Sequence, residues 1–300
     1  MNKIYGKVWN RALQQLVVVS ELATSRRGAS TKGDARGVLR PLGAGVFTAM
    51  VAFGWVGWSA TAQAQSVDCS AAPYNAYNST AACMGLSSAA SGVGATALGS
   101  LAHADVLGAL AVGYNSHAAA QNGISLGFQA YTTGVNSIYL GARTAAGTGA
   151  LANSSIGIGQ DVTASGVSGV AIGTVAKAVG GNAVSIGALS SVDVNSGNSV
   201  AIGPSASATG AINAVALGSG AAASTGQATA LGASSKASAD GATAVGLSSQ
   251  STATHATAAG WQAYATALNA VYLGARTVGT GASAESAIAI GTDVSVSGQY

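Results

Sequence analysis

The side chains able to do chemistry in this chain are few: three histidines, two cysteines, twelve Lys or Arg and nine Asp or Glu among 300 residues. His103, His117 and His255 read as isolated and differently placed in their repeats, and no second ligand type recurs beside them at metal-ligand spacing. No metal and no cofactor is therefore expected. No G-x-x-x-x-G-K-[ST] loop occurs, so the glycines read as turns and not as phosphate cradles. The catalytic set expected from these residue types is empty, and the chain reads as a non-enzyme.

Composition restricts the elements that could position any site. Charged residues make up 7% of the chain, against about a quarter in an ordinary globular domain. Helices laced with i,i+4 ion pairs cannot be built from so few charges, and 5% aromatics cannot fill a large conventional core. Charge-driven disorder is excluded as well, since 49% of residues are hydrophobic and the mean hydropathy is +0.40.

Periodicity supplies the architecture. A small or apolar pair followed by glycine recurs fourteen times, from Ala97-Leu98-Gly99 to Ala289-Ile290-Gly291, and nine of the thirteen intervals are 14 residues. Glycine once per repeat and β-branched runs would cost a helix about 1 kcal/mol per Gly, which favours a β-solenoid over paired heptads. Within one repeat, Asn198-Ser199-Val200-Ala201-Ile202-Gly203 alternates, placing Val200 and Ile202 on one face and Ser199 and Ala201 on the other; Val200 and Ile202 are expected to be buried. A second short strand follows in Ala206-Ser207-Ala208-Thr209-Gly210. A coil of two short strands buries too little to fold alone and must stack on its neighbours. Fourteen such coils make a rod of roughly 65 Å, with the three longest intervals (16 to 18) read as loops from one edge. Residues 127–144 return as 260–277, an offset of 133, and the chain ends inside a repeat without a cap, which predicts a fragment of a longer array.

The first 40 residues hold eight bases against two acids, and residues 42–58 are small and apolar ahead of Ala60-Thr61-Ala62-Gln63-Ala64. A basic region, an apolar region and an A-x-A site make a secretory signal, with cleavage expected between Ala64 and Gln65. The 17-residue apolar stretch falls short of the roughly 20 residues of a membrane anchor. Residues 65–300 then carry four bases against seven acids, a net charge of −3, so nucleic-acid binding lacks its driving force. In an exported chain, Cys69 and Cys83 are expected to form an intrachain disulfide closing the N-terminal segment.

The leader residues Met1-Asn2-Lys3-Ile4-Tyr5, Val8-Trp9-Asn10 and Val18-Val19-Ser20-Glu21-Leu22-Ala23 resemble the extended signal peptide region of Gram-negative autotransporters. The N-S-V-A-I-G and A-x-A-x-G halves of the repeats resemble the head repeats of YadA-like trimeric autotransporter adhesins, over about residues 90–298. The resemblance implies an all-β, left-handed parallel β-roll in a side-by-side homotrimer, exported through the inner membrane to the cell surface. Its membrane anchoring would depend on a C-terminal domain not seen in this sequence. The expected segments are 1–24 (extended signal region), 25–64 (rest of the signal), 65–90 (segment with the cysteines) and 91–300 (head repeats).

By that resemblance, Asn198, Ser199, Val200, Ala201, Ile202, Gly203 and Ser205 match a motif the family associates with collagen binding, with plain strand and turn as the alternative role. Arg143 and Arg276, each two residues after Tyr-Leu-Gly, are candidate surface contacts or, equally, solvated or trimer-facing charges. The function expected is an adhesin head for host matrix or cells, with autoagglutination a further role. Its rival is a β-solenoid spacer without a ligand of its own.

Overall fold

The structure, a computed structural model, describes residues 5–10, 15–20, 75–76, 80–210 and 212–298. The chain divides into two units, Met1–Gln63 and Ala64–Tyr300. In the first, Tyr5–Asn10 pairs antiparallel with Gln15–Ser20, Tyr5 opposite Ser20. The apolar part of the leader, Ala64, Gln65 and Cys69 lie outside the described residues.

In the second unit each coil contributes one three-residue strand and one two-residue strand. The three-residue strands form a fifteen-stranded parallel sheet and the two-residue strands a fourteen-stranded one, each stacked in chain order. No described residue of the unit is helical. There are thus about fifteen coils, not fourteen; the first three-residue strand is Ala82–Met84, paired in register with Thr96–Leu98 one repeat later. Pairing is in register throughout the coil around Val200–Ile202: Val200 lies between Val184 and Val215, and Ile202 between Ile186 and Leu217. Turn amides continue the ladder, as in Gly203 N–H donating to Ile186 O (2.8 Å) and Gly218 N–H to Ile202 O (2.8 Å). Backbone hydrogen bonds between coils, and not bulky side chains, fill the place of a conventional core.

Which face is inside differs from expectation. The middle residue of every three-residue strand and, from Ala89–Ala90 onward, the second residue of every two-residue strand are buried, and most of them are alanine. Ala201 and Ser199 are fully buried, whereas Val200 and Ile202 point outward and are half-buried. Alternation separates two faces without saying which faces in. Here alanine at most inner positions lets the two sheets close on each other, with Val192 and Val162 among the few larger side chains inside. Tyr139 fits beside Gly157 in the next coil, where an added Cβ would stand 3.0 Å from Tyr139 Cδ2.

The glycine after the strand is required by stacking. Gly203 has φ of +130°, and a Cβ there would lie 2.5 Å from Gly218 O in the next coil. The long intervals do not bulge from one edge. Residues 141–148 and 274–280 lengthen the turn after the three-residue strand, whereas 193–199 lengthens the turn after the two-residue strand.

Candidate functional site

The motif at 198–205 divides between turn, core and surface. Asn198 occupies the left-handed region (φ 56°), which Asn tolerates, and its side-chain oxygen accepts from Asn182 Nδ2 at 3.0 Å in the preceding coil. Ser199 Oγ points inward and accepts from Ala214 N–H at 2.9 Å. With Ser199 and Ala201 buried and Gly203 fixed by stacking, Asn198 and Ser205 are the exposed members of the set.

The two arginines sit in equivalent, built settings. The Arg143 guanidinium lies 4.7 Å from the Tyr131 ring centre, and that of Arg276 lies 4.5 Å from Tyr264. Each follows an inward tyrosine whose hydroxyl donates to the lengthened turn: Tyr139 to Ala142 O and Tyr272 to Ala275 O, both 3.0 Å. Burial pushes the Tyr139 phenol up from its ordinary range. A carboxylate from the next coil closes each turn. Asp161 accepts from Thr144 N–H, Thr144 Oγ–H and Ala145 N–H; Asp293 accepts from Thr277 N–H, Thr277 Oγ–H and Val278 N–H. The Thr144 hydroxyl and the Thr277 hydroxyl are the leading reasons both carboxyls sit below the usual carboxylate range.

The histidines are neither all isolated nor all differently placed in their repeats, contrary to the sequence-based expectation. His103 and His117 are register partners, each the first residue of a two-residue strand, with ring centres 5.7 Å apart. His117 pairs with Asp105 and lies 5.5 Å from the Tyr131 ring. His255 stands alone in a turn at φ 54°. Among the described residues no cluster of three or more His, Cys, Asp or Glu could hold a metal. Cys83 is disulfide-bonded.

One feature escaped the sequence reading although its signal was present. His103, His117, Tyr131, Lys177, Lys236 and Tyr264 each stand four residues after a repeat glycine, which is the outward position of the two-residue sheet. The two tyrosines carry Arg143 and Arg276. Every Lys and Arg of the described solenoid is therefore on this one face. The outward positions of the three-residue sheet hold Val, Ile, Leu, Met, Ala or Thr in all fifteen strands and never a charge.

These two unlike faces on a stack of short coils define a repeat protein, a parallel β-solenoid. The YadA head domain repeat matches residues 90–116, 118–143, 164–190, 196–221, 223–249 and 251–277, more than half of the chain. The extended signal peptide of the type V secretion system matches residues 1–50. The chain belongs to the YadA-like trimeric autotransporter adhesins, proteins exported to the cell surface. No curated protein matches it.

Proposed function

We propose that residues 65–300 are the adhesive head of this surface protein, three copies standing side by side. The apolar face of the three-residue sheets turns to the three-fold axis, and the cationic face of the two-residue sheets turns to the ligand. The observation that carries this is the segregation of the faces. Fifteen coils at about 4.8 Å make an uncharged apolar strip about 70 Å long, on the order of 700 Å², more than a monomer usually leaves to water.

On the opposite face, Arg143 and Arg276 on their tyrosines, with Lys177 and Lys236 between, are the proposed contacts to host matrix proteins, collagen among them. Val200 and Ile202 then belong to the trimer, which leaves Asn198 and Ser205 as the parts of the family motif open to a ligand. Three columns per head convert weak contacts into avid ones. Removal of the leader after Ala64, followed by pairing of Cys69 with Cys83, completes the proposed mature form.

The test is binding of purified residues 65–300 to immobilised collagen and other matrix proteins. Binding that falls at least tenfold in the Arg143→Ala/Arg276→Ala protein is the expected result. No binding to any matrix protein would leave a spacer in place of an adhesive head.

A further inference from the structure

A three-fold ring is closed by unlike edges: one end of each coil meets the other end of its neighbour's. In this solenoid both ends carry exposed large apolar side chains. The turn leaving the three-residue strand presents Tyr114, Phe128 and Trp261, and the turn returning to it presents Leu107, Val135 and Leu268. Phe128 and Trp261 are 46% and 43% exposed, and Val135 and Leu268 are 37% and 41% exposed. Tyr114 and Phe128 stack on each other with ring centres 5.7 Å apart, and among the described residues neither ring stacks on a further aromatic.

Their heights along the rod match. Phe128 leaves the strand Ile138–Leu140's predecessor, Ile124–Leu126, and Val135 leads into Ile138–Leu140, so the two lie within one coil rise of about 5 Å. Trp261 follows Thr257–Ala259 and Leu268 precedes Val271–Leu273, the same relation nine coils higher. Leu107 precedes Leu110–Val112 and Tyr114 follows it. Between these zones the leaving turns carry no aromatic, with Thr174, Ala188, Ser219 and Ala233 in that column, whereas the returning turns alternate Gly181, Gly197 and Gly226 with the exposed Val167 and Ile212. In a ring without vertical offset, Tyr114, Phe128 and Trp261 of one chain face Leu107, Val135 and Leu268 of the next within one coil rise.

We propose that these turns are the lateral seams of the trimer, occupied by a second copy of this chain: Tyr114, Phe128 and Trp261 of one protomer pack against Leu107, Val135 and Leu268 of its neighbour. Aromatic side chains are the favoured anchors of such interfaces. The seams sit beside the axial apolar strip and continue it outward. The aromatic turns nine coils apart also favour one vertical register of repetitive rods that could otherwise slide by one coil. This inference rests on the trimer proposed above and goes beyond it by naming the contacts and their polarity.

Cysteine pairs test it. Phe128 and Val135 stand at opposite ends of the same coil, so a disulfide between them must join two chains, and Cys83 is already in a disulfide. In the Phe128→Cys/Val135→Cys protein, mild oxidation is expected to yield a covalently closed trimer on a denaturing, non-reducing gel. Each single variant is expected to stay monomeric there. The Trp261→Cys/Leu268→Cys pair should behave alike and serves if the first pair misfolds. Dimers from a single variant would mean like edges meet and would overturn the seam. So would the absence of cross-links from both pairs in a protein that light scattering finds trimeric. A monomer by light scattering in the unaltered protein would instead overturn the trimer itself.

Discussion

Asp161 and Asp293 close the two lengthened turns by accepting backbone and hydroxyl hydrogen bonds that only the ionised carboxyl can fully accept. Their folded pKa values lie below the unfolded value, so their contribution to stability is present above the ordinary Asp range and is lost as pH falls through the lowered folded values. Unfolding midpoints followed from pH 7 to pH 2 should therefore drop less steeply for the Asp161→Asn/Asp293→Asn protein than for the unaltered one. Equal slopes would show that the two clamps do not differ in charge state between folded and unfolded chains. Strain is also local to single residues. Val175 holds φ of 58° at a position where other coils place Asn115, Ser205 or Asp161 in the same left-handed region. A β-branched residue is poorly suited there, at a cost of about 1 kcal/mol, so Val175→Asn is expected to raise the melting temperature by about 2–4 °C. An unchanged or lowered melting temperature would show that the Val175 side chain gains as much by packing as its backbone loses.

At the scale of the element, the three-residue strand inverts an ordinary expectation about size. Its small residue is the core and its large residues are the surface. Ala201→Leu should force the two sheets apart and destabilise the solenoid by about 1–3 kcal/mol or more, read from the denaturant midpoint. Ile202→Ser should leave the coil folded by circular dichroism and weaken association, read by light scattering. If Ile202→Ser instead unfolded the coil while Ala201→Leu did not, the inward and outward assignments would be reversed. The strand itself was legible in the sequence, because the 14-residue recurrence of glycine and the alternation around it follow from stacking and pleat. The inside of the strand was not, since a period of two is symmetric between faces. The outward column of His103, His117, Tyr131, Lys177, Lys236 and Tyr264 was equally encoded, four residues after successive glycines, but it appears as a column only once register is counted from those glycines.

Across the whole molecule, the export leader, the disulfide and the rod answer to different demands. Fifteen thin coils with alanine interiors bury little apolar area each, so the ends of the stack fray most easily. Cys83 lies in the first three-residue strand, where a covalent tie restrains that end. Cys69 is the other cysteine of the chain. Unreduced, mature protein is therefore expected to show no free thiol to an alkylating reagent and no disulfide-linked dimer on a denaturing gel. Free thiols would remove the tie from the account, and a linked dimer would move it between chains.

The sequence by itself determined the leader, the coil length, the parallel stack and the family, because each is carried by local patterns: charge beside an apolar run, glycine where backbones touch, alternation along a strand. Tertiary structure alone decided which half of the alternation is the core, that Ser199 and Ala201 are withdrawn from any ligand, and that the Lys and Arg side chains of the described solenoid share one face. Those outcomes depend on how closely two sheets approach. Alanine interiors bring them into contact, and contact expels Val200, Ile202 and their equivalents to the outside, where a neighbouring chain becomes their proposed cover.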